Sequence, residues 1–314
     1  GLMATGGSTN LVLHLASFAA SAGIKLTPED MADISAATPL LARIYPNASA
    51  DVNHFHAAGG MGFLIRELIR GGYVHADART INGTLQSQMM EPFLSAPDTL
   101  EWRTPAETSG DTDILRPIDD PFAPEGGLKL LRGNIGESVT KISAVKPEHR
   151  CVTAKARVFD TQGAVKAAYK AGELDTDVIV VVRFQGPGAN GMPELHSLTP
   201  ILGSLQDDGH QVALVTDGRM SGASGKIPNA IHLTPEGARG GPIARIKDGD
   251  MLRLDCESGE LTMLGDAEEF AAREPVAYHR DKSEVGLGRE LFSVMRAEAG
   301  DAASGASFFS FPGM

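Results

Sequence analysis

The chain has 314 residues, 42% of them hydrophobic and 22% charged, enough for one large domain or two ordinary ones with an ample core. Its formal net charge of -12 argues against a general nucleic-acid or anionic-membrane surface, yet leaves room for a local basic pocket. No apolar run approaches the roughly 20 residues of a membrane span and the first residues lack a basic secretory start, so the cytoplasm is the default location.

Ser8, Thr9 and Asn10 are good helix N-caps, and Leu11, Leu15, Phe18 and Ala22 follow at helical spacing until Gly23. Clustered hydroxyls behind glycines at a helix start also suit an anion, because free amides and the positive dipole end face it. Thr27-Pro28-Glu29-Asp30 caps a second helix running through Ile34. Asp51, His54 and His56 carry metal-ligand chemistry, but their spacing fits no ordinary closed site, and they read as polar groups before a helix over Met61 to Arg70. Periodicity is weak from Thr84 to Trp102. From Thr104 to Gly127, Pro105, Pro117, Pro121 and Pro124 prevent any long element, which predicts a crossover between two domains.

The pattern then turns strand-rich. Val139 to Val145, Val152 to Phe159, Val178 to Arg183, Gln211 to Thr216, Ala244 to Ile246, Met251 to Asp255 and Glu260 to Leu264 read as strands, with helices at Thr161 to Ala171 and Leu195 to Leu205. Such spacing predicts a β-barrel-like domain flanked by helices. In the tail, Glu268 to Arg273 and Val285 to Ala299 are predicted helices, and the aromatic end around Phe308, Phe309 and Phe311 is expected to dock on a domain or subunit. The two cysteines, Cys151 and Cys256, are too few for a thiolate-only cluster or zinc site and read as plain thiols.

Two loops carry the chemistry. Gly186 to Pro200 follows the Val178 strand and sets the carboxylate Glu194 behind a run of glycines; Val212 to Ser224 is a buried strand broken by Asp217-Gly218, then Arg219, Met220, Ser221 and Ser224. Small residues let backbone amides and a hydroxyl approach a ligand, though turns use the same residues routinely. Glu194 is either a helix-start glutamate or a hard oxygen ligand for a divalent ion. Asp217 and Arg219 either fix the loop by a charge-assisted pair or bind substrate.

The wording Gly-Ala-Asn-Gly-Met-Pro-Glu-Leu-His over 188–196, Gly-Gly-Ser-Thr-Asn over 6–10 and Gly-Lys-Ile-Pro-Asn-Ala-Ile-His-Leu-Thr-Pro over 225–235 resembles the dihydroxy-acid and phosphogluconate dehydratase family over nearly the whole chain, closest to its phosphogluconate branch. The resemblance implies dehydration of 6-phosphogluconate to 2-keto-3-deoxy-6-phosphogluconate in the Entner-Doudoroff pathway, with a branched-chain dihydroxy acid or an unphosphorylated sugar acid as alternative substrates. It implies an iron-sulfur cluster of the 4Fe-4S type, held by cysteines upstream of the Gly-Gly-Ser-Thr-Asn stretch, and Mg2+. The chain is therefore expected to be a fragment lacking the N-terminal half, inactive by itself; the alternative of another class is that this fragment in isolation is a non-catalytic swivel or assembly domain. The implied fold is α/β: residues 1–127 the remainder of an N-terminal α/β cluster domain, 128–280 a swivelling β-barrel-like β/β/α domain, and 281–314 a helical tail packing back on the first domain or a partner subunit of a homodimer. Among site residues it implies Ser221 as the base, Glu194 as a magnesium ligand, and Ser8, Thr9, Arg219 and Ser224 as substrate contacts. Lys226, Asn229 and Arg239 are the expected donors to the phosphate.

Overall fold

The computed structural model describes residues 1–45, 47–220, 225–279, 286 and 288–309, so Ser221 and Ser224 lie outside the described residues. The chain divides into two compact units, one of Gly1–Gly7 with Ile34–Gly127, the other of Ser8–Asp33 with Leu128–Met314.

In the first unit, helices Val52–Ala57 and Gly60–Arg70 pack Phe55, Phe63, Leu64 and Leu68 against Leu41, Ile114 and Leu115. Asp51 starts the first helix by a reciprocal cap: its carboxylate accepts from the His54 amide while the His54 ring faces the Asp51 amide. The histidine therefore serves a helix start. The proline-rich stretch is no bare crossover, since Leu40 and Ala42 bridge to Ala123 and Leu115 and draw it into this core. The hairpin of Glu91–Ala96 and Thr99–Arg103 has no counterpart in the predicted elements. Its second strand is exposed throughout, so no buried alternation marks it.

The second unit is built on a closed barrel of eight strands: β1 (Leu128–Gly133), β2 (Gly136–Lys141), β3 (Cys151–Phe159), β4 (Val178–Val182), β5 (Val212–Thr216), β6 (Asn229–Thr234), β7 (Met251–Asp255) and β8 (Glu260–Met263). Around the barrel the order is β6-β2-β1-β8-β7-β3-β4-β5, with β3, β4, β5 and β6 parallel neighbours. Parallel strands need long crossovers, and the helices Gln162–Lys170 and Thr199–Asp207 supply two of them. Both faces of β4 and β5 are covered, which is why Val178–Val182 and Val212–Thr216 are buried at every position and read as unbroken apolar runs. Ile179, Val181, Ala213, Val215, Leu252 and Leu254 belong to the barrel core, where each large aliphatic side chain contributes about 1.5–3 kcal/mol.

Several elements depart from the sequence pattern. The helix opening this unit, α1 (Asn10–Ser21), buries Val12, Leu13 and Ala16 and leaves Leu11 and Phe18 exposed, so its buried face is not the Leu11-Leu15-Phe18-Ala22 stripe. Residues 242–246 form no strand: Pro242 opens a 3-10 turn over Pro242–Arg245, and buried Ile243 and Ala244 mimic a strand by apolarity alone. The tail helix α2 (Ser293–Glu298) begins later than the pattern from Val285, although residues 280–285 and 287 are outside the description. Beyond it, Ala302 and Ala306 pack on Leu13 and Met192.

Candidate active site

The carboxyl ends of parallel strands are where α/β sheets gather ligands, because the loops there diverge and free their amides. Three loops leave such ends here, after β4, β5 and β6. Two buried carboxylates tie them together. Asp217, fully buried just after β5, accepts from the Gln185 amide at 2.8 Å, the Phe184 amide at 3.1 Å and the Gly237 amide at 2.9 Å. Burial pushes its pKa up to about 6 against the pull of those amides. Glu236, 3% exposed after β6, accepts from the Gly188 amide at 3.0 Å and the Ala189 amide at 3.2 Å and pairs with Arg239 Nε at 3.0 Å. Both carboxylates thus shape the glycine-rich loop from below. Asp217 and Arg219 do not pair; each has other partners.

Glu194 and Arg219 sit side by side. Their residues form a parallel bridge, the Leu195 amide donates to the Arg219 carbonyl at 3.0 Å, and Arg219 Nη1 lies 3.1 Å from Glu194 Oε1. The same carboxylate oxygen accepts from Asn10 Nδ2 at 2.6 Å. Arg219 Nε also donates to the Met192 carbonyl at 2.6 Å, locking the guanidinium across the turn. Thr9 Oγ1 reaches the Met220 carbonyl at 3.5 Å, so its hydroxyl leaves the helix start uncapped, while Ser8 Oγ accepts from the Asn10 amide at 3.2 Å. The start of α1, the Glu194 loop and the residues leading to Ser221 therefore meet in one place.

The other predicted contacts are placed elsewhere. Lys226 Nζ binds Asp207 at 2.6 Å; Asn229 is buried on β6 and donates to the Ile227 carbonyl at 3.0 Å; Arg239 holds Glu236 and donates to the Ala299 carbonyl. Asn10 and Glu236 were not singled out from sequence. Asn10 looks like one more N-cap, and Glu236 stands in a Pro-Glu-Gly turn, where a glutamate is ordinarily solvated. His232 was missed too: its backbone φ is 58°, its amide donates to the Gly218 carbonyl at 2.9 Å, and burial holds its imidazole down to about 3.

Among the described residues no three His, Cys, Asp or Glu side chains come together as a metal site. Glu194 offers a hard oxygen suited to magnesium, with no second carboxylate, His or Cys grouped with it as a metal site among the described residues. The two thiols do not fit a cluster. Cys151 pairs in register with Asp255 and is exposed, whereas Cys256, the next residue along, is buried against Thr140 with its thiol pushed up to about 12 by burial.

Comparison with known proteins adds a second line. The family profile described as dihydroxy-acid/6-phosphogluconate dehydratase C-terminal matches residues 113–306, and its N-terminal counterpart matches residues 1–89. The phosphogluconate dehydratase of Pseudomonas aeruginosa is 56% identical over 98% of this chain and 51% of its own length. That of Escherichia coli is 50% identical over 99% of the chain and 51% of its own length. A dihydroxy-acid dehydratase from Roseiflexus is 38% identical over 86% of the chain and 46% of its own length. The chain spans about half the length of the curated relatives it matches.

Proposed function

The chain belongs to the dihydroxy-acid/6-phosphogluconate dehydratase family, and on that premise we propose that the protein it represents removes water from 6-phosphogluconate to give 2-keto-3-deoxy-6-phosphogluconate. The observation carrying the choice of substrate is the identity gap: 56% to a phosphogluconate dehydratase against 38% to a dihydroxy-acid dehydratase.

The reaction takes a proton from C2 and hydroxide from C3, and the enol then becomes the 2-keto acid. A proton beside a carboxylate is weakly acidic and hydroxide leaves poorly. The family's cluster and magnesium, when bound, supply Lewis acidity toward the leaving hydroxyl and the developing enolate. The two cysteines of this chain, one exposed and one buried with its thiol pKa raised, do not fit a thiolate cluster, and its ligands are proposed to come from the N-terminal half. For the chain's own residues, Ser221 Oγ is the proposed base at C2, and Glu194 the proposed magnesium ligand. A serine is a feeble base unless a cation steadies its alkoxide, and Arg219 places one two residues away. Ser8, Thr9, Arg219 and Ser224 are proposed substrate contacts. Support comes from Thr9 reaching Met220 and from Arg219 and Asn10 sharing one oxygen of Glu194. The barrel unit is proposed to act as the swivelling domain of a cytoplasmic homodimer.

The test is Ser221→Ala in the full-length protein, assayed on 6-phosphogluconate, gluconate and a branched-chain dihydroxy acid. Wild type should favour the phosphorylated acid, and the variant should lose about 1000-fold or more in turnover while still binding it. Near-normal turnover removes Ser221 from the role; preference for the branched-chain acid removes the substrate.

A further inference from the structure

A hollow of about 390 Å3 opens beside the Glu194-Arg219 pair, lined by His14 of α1, Gly191 and Met192 of the glycine-rich loop, Arg219, and Arg296 of α2. Two guanidinium groups and an imidazole line it, Arg219 being paired with Glu194 at its edge, and no Asp or Glu is among the described lining residues. In a chain of net charge -12 that is a local reversal of sign. A larger neighbouring hollow of about 580 Å3 shows the contrast: among the described residues Glu137, Glu298 and Asp301 line it with one cation, Lys25.

Arg296 is only partly engaged. Its described hydrogen bond runs from Nη2 to the Arg289 carbonyl at 3.3 Å, and no carboxylate among the described residues pairs with it. Lys226 and Arg239, by contrast, are each held by an acid away from this hollow, as Arg219 is by Glu194 at its edge, and Asn229 is buried on β6. A sugar phosphate carries about -1.5 to -2 charge near pH 7 and three strong acceptor oxygens, which a guanidinium fork matches in geometry as well as charge.

We propose that this hollow is the phosphate subsite, with Arg296 as the principal grip, His14 as a second donor and Arg219 joining it to the reacting end at Glu194. The proposal rests on the phosphorylated-substrate reading above and names the group that sets its selectivity. Because α2 lies in the tail, the tail would complete the substrate pocket through Arg296.

The experiment compares wild type, Arg296→Met, Arg296→Lys and His14→Asn in the full-length enzyme with 6-phosphogluconate and gluconate. For Arg296→Met the ratio of kcat/KM for the phosphorylated over the unphosphorylated acid should fall roughly 10- to 100-fold, mostly through KM, with Arg296→Lys between it and wild type and His14→Asn lowering the same ratio less. Calorimetric titration of 6-phosphogluconate into Ser221→Ala, with and without Arg296→Met, should show the same weakening without turnover. A wild type that prefers the phosphorylated acid, with both Arg296 variants keeping its full preference and affinity, overturns the subsite and leaves the substrate reading standing. A wild type with no such preference overturns both.

Discussion

Arg219 Nη1 lies 3.1 Å from Glu194 Oε1, and the backbones of the two residues bridge in parallel, so the acid is tied by side chain and backbone to the strand-end loop that leads to Ser221. With side chains about a third exposed (29% and 32%), the ion pair itself contributes little, on the order of 0–1 kcal/mol. Its value is geometric. Glu194→Gln keeps an acceptor for Asn10 and Arg219 but removes the charge. In the full-length protein the melting temperature should shift by only a few degrees while kcat/KM falls about 100-fold or more. A variant with unchanged kinetics would remove Glu194 from the metal-binding role.

Asp217 gives a stability prediction with a definite sign. Its folded pKa is raised to about 6, above the unfolded carboxylate value of about 3.9, so between these values the folded chain holds the extra proton. The contribution of this residue is therefore greatest below about pH 4, declines as pH rises through 6, and is level above, an effect on the order of 3 kcal/mol. Asp217→Asn removes that slope. It also turns an NH2 group toward the amides of Phe184 and Gly237, at a cost of about 1–3 kcal/mol near pH 7. Denaturant midpoints measured from pH 4 to 7 should rise in wild type as pH falls while the variant stays nearly level by comparison, so the gap between them is smallest near pH 7 and widest near pH 4; a gap that stays constant with pH would contradict the buried, proton-binding Asp217.

The glycine-rich loop is required to be glycine by Glu236 beneath it. A Cβ on Gly188 would lie 2.6 Å from Glu236 Oε1 and 3.2 Å from Arg239 Nε, inside contact distance of a carboxylate that binds two amides of the same loop. Gly188→Ala should destabilise by about 2–4 kcal/mol. Gly203 in the helix Thr199–Asp207 is the control: nothing stands within 4 Å of its Cβ position, and Gly203→Ala should stabilise by about 0.5–1 kcal/mol. Equal effects at the two sites would show that loop packing does not depend on Glu236.

What the sequence displays depends on where each residue gets its partners. β4 and β5 are legible because burial on both faces leaves a run of aliphatic residues with no polar interruption. β6 is not, because Asn229 and His232 stand in it, and polar residues in a barrel wall look like a loop until the bulge between Ile231 and Thr234 is seen. Glu194 and Arg219 are legible as chemistry, since each follows a strand and a turn. Asp217 is legible only as one half of a presumed ion pair, while its three amide partners come from two loops distant in sequence. Long-range partners of that kind leave no spacing to read.

The cysteines supply the last prediction. Cys151 opens β3 and Cys256 follows directly on the neighbouring β7, yet one thiol is exposed and the other is buried with its pKa pushed up to about 12 by desolvation. Nucleophilicity belongs to the thiolate, so at pH 8 the buried thiol holds about a thousandfold less of it than a free cysteine. Under native conditions iodoacetamide should modify Cys151 slowly, its own thiol being raised by partial burial and the nearby Asp255, and leave Cys256 untouched until the chain unfolds. Peptide mass mapping of full-length protein reads both positions directly. If neither thiol holds a cluster, changing both residues to serine should also leave the iron and sulfide content of the full-length enzyme as in wild type. Loss of iron on that change would assign the cluster to this half of the protein and refute the division of ligands proposed for it.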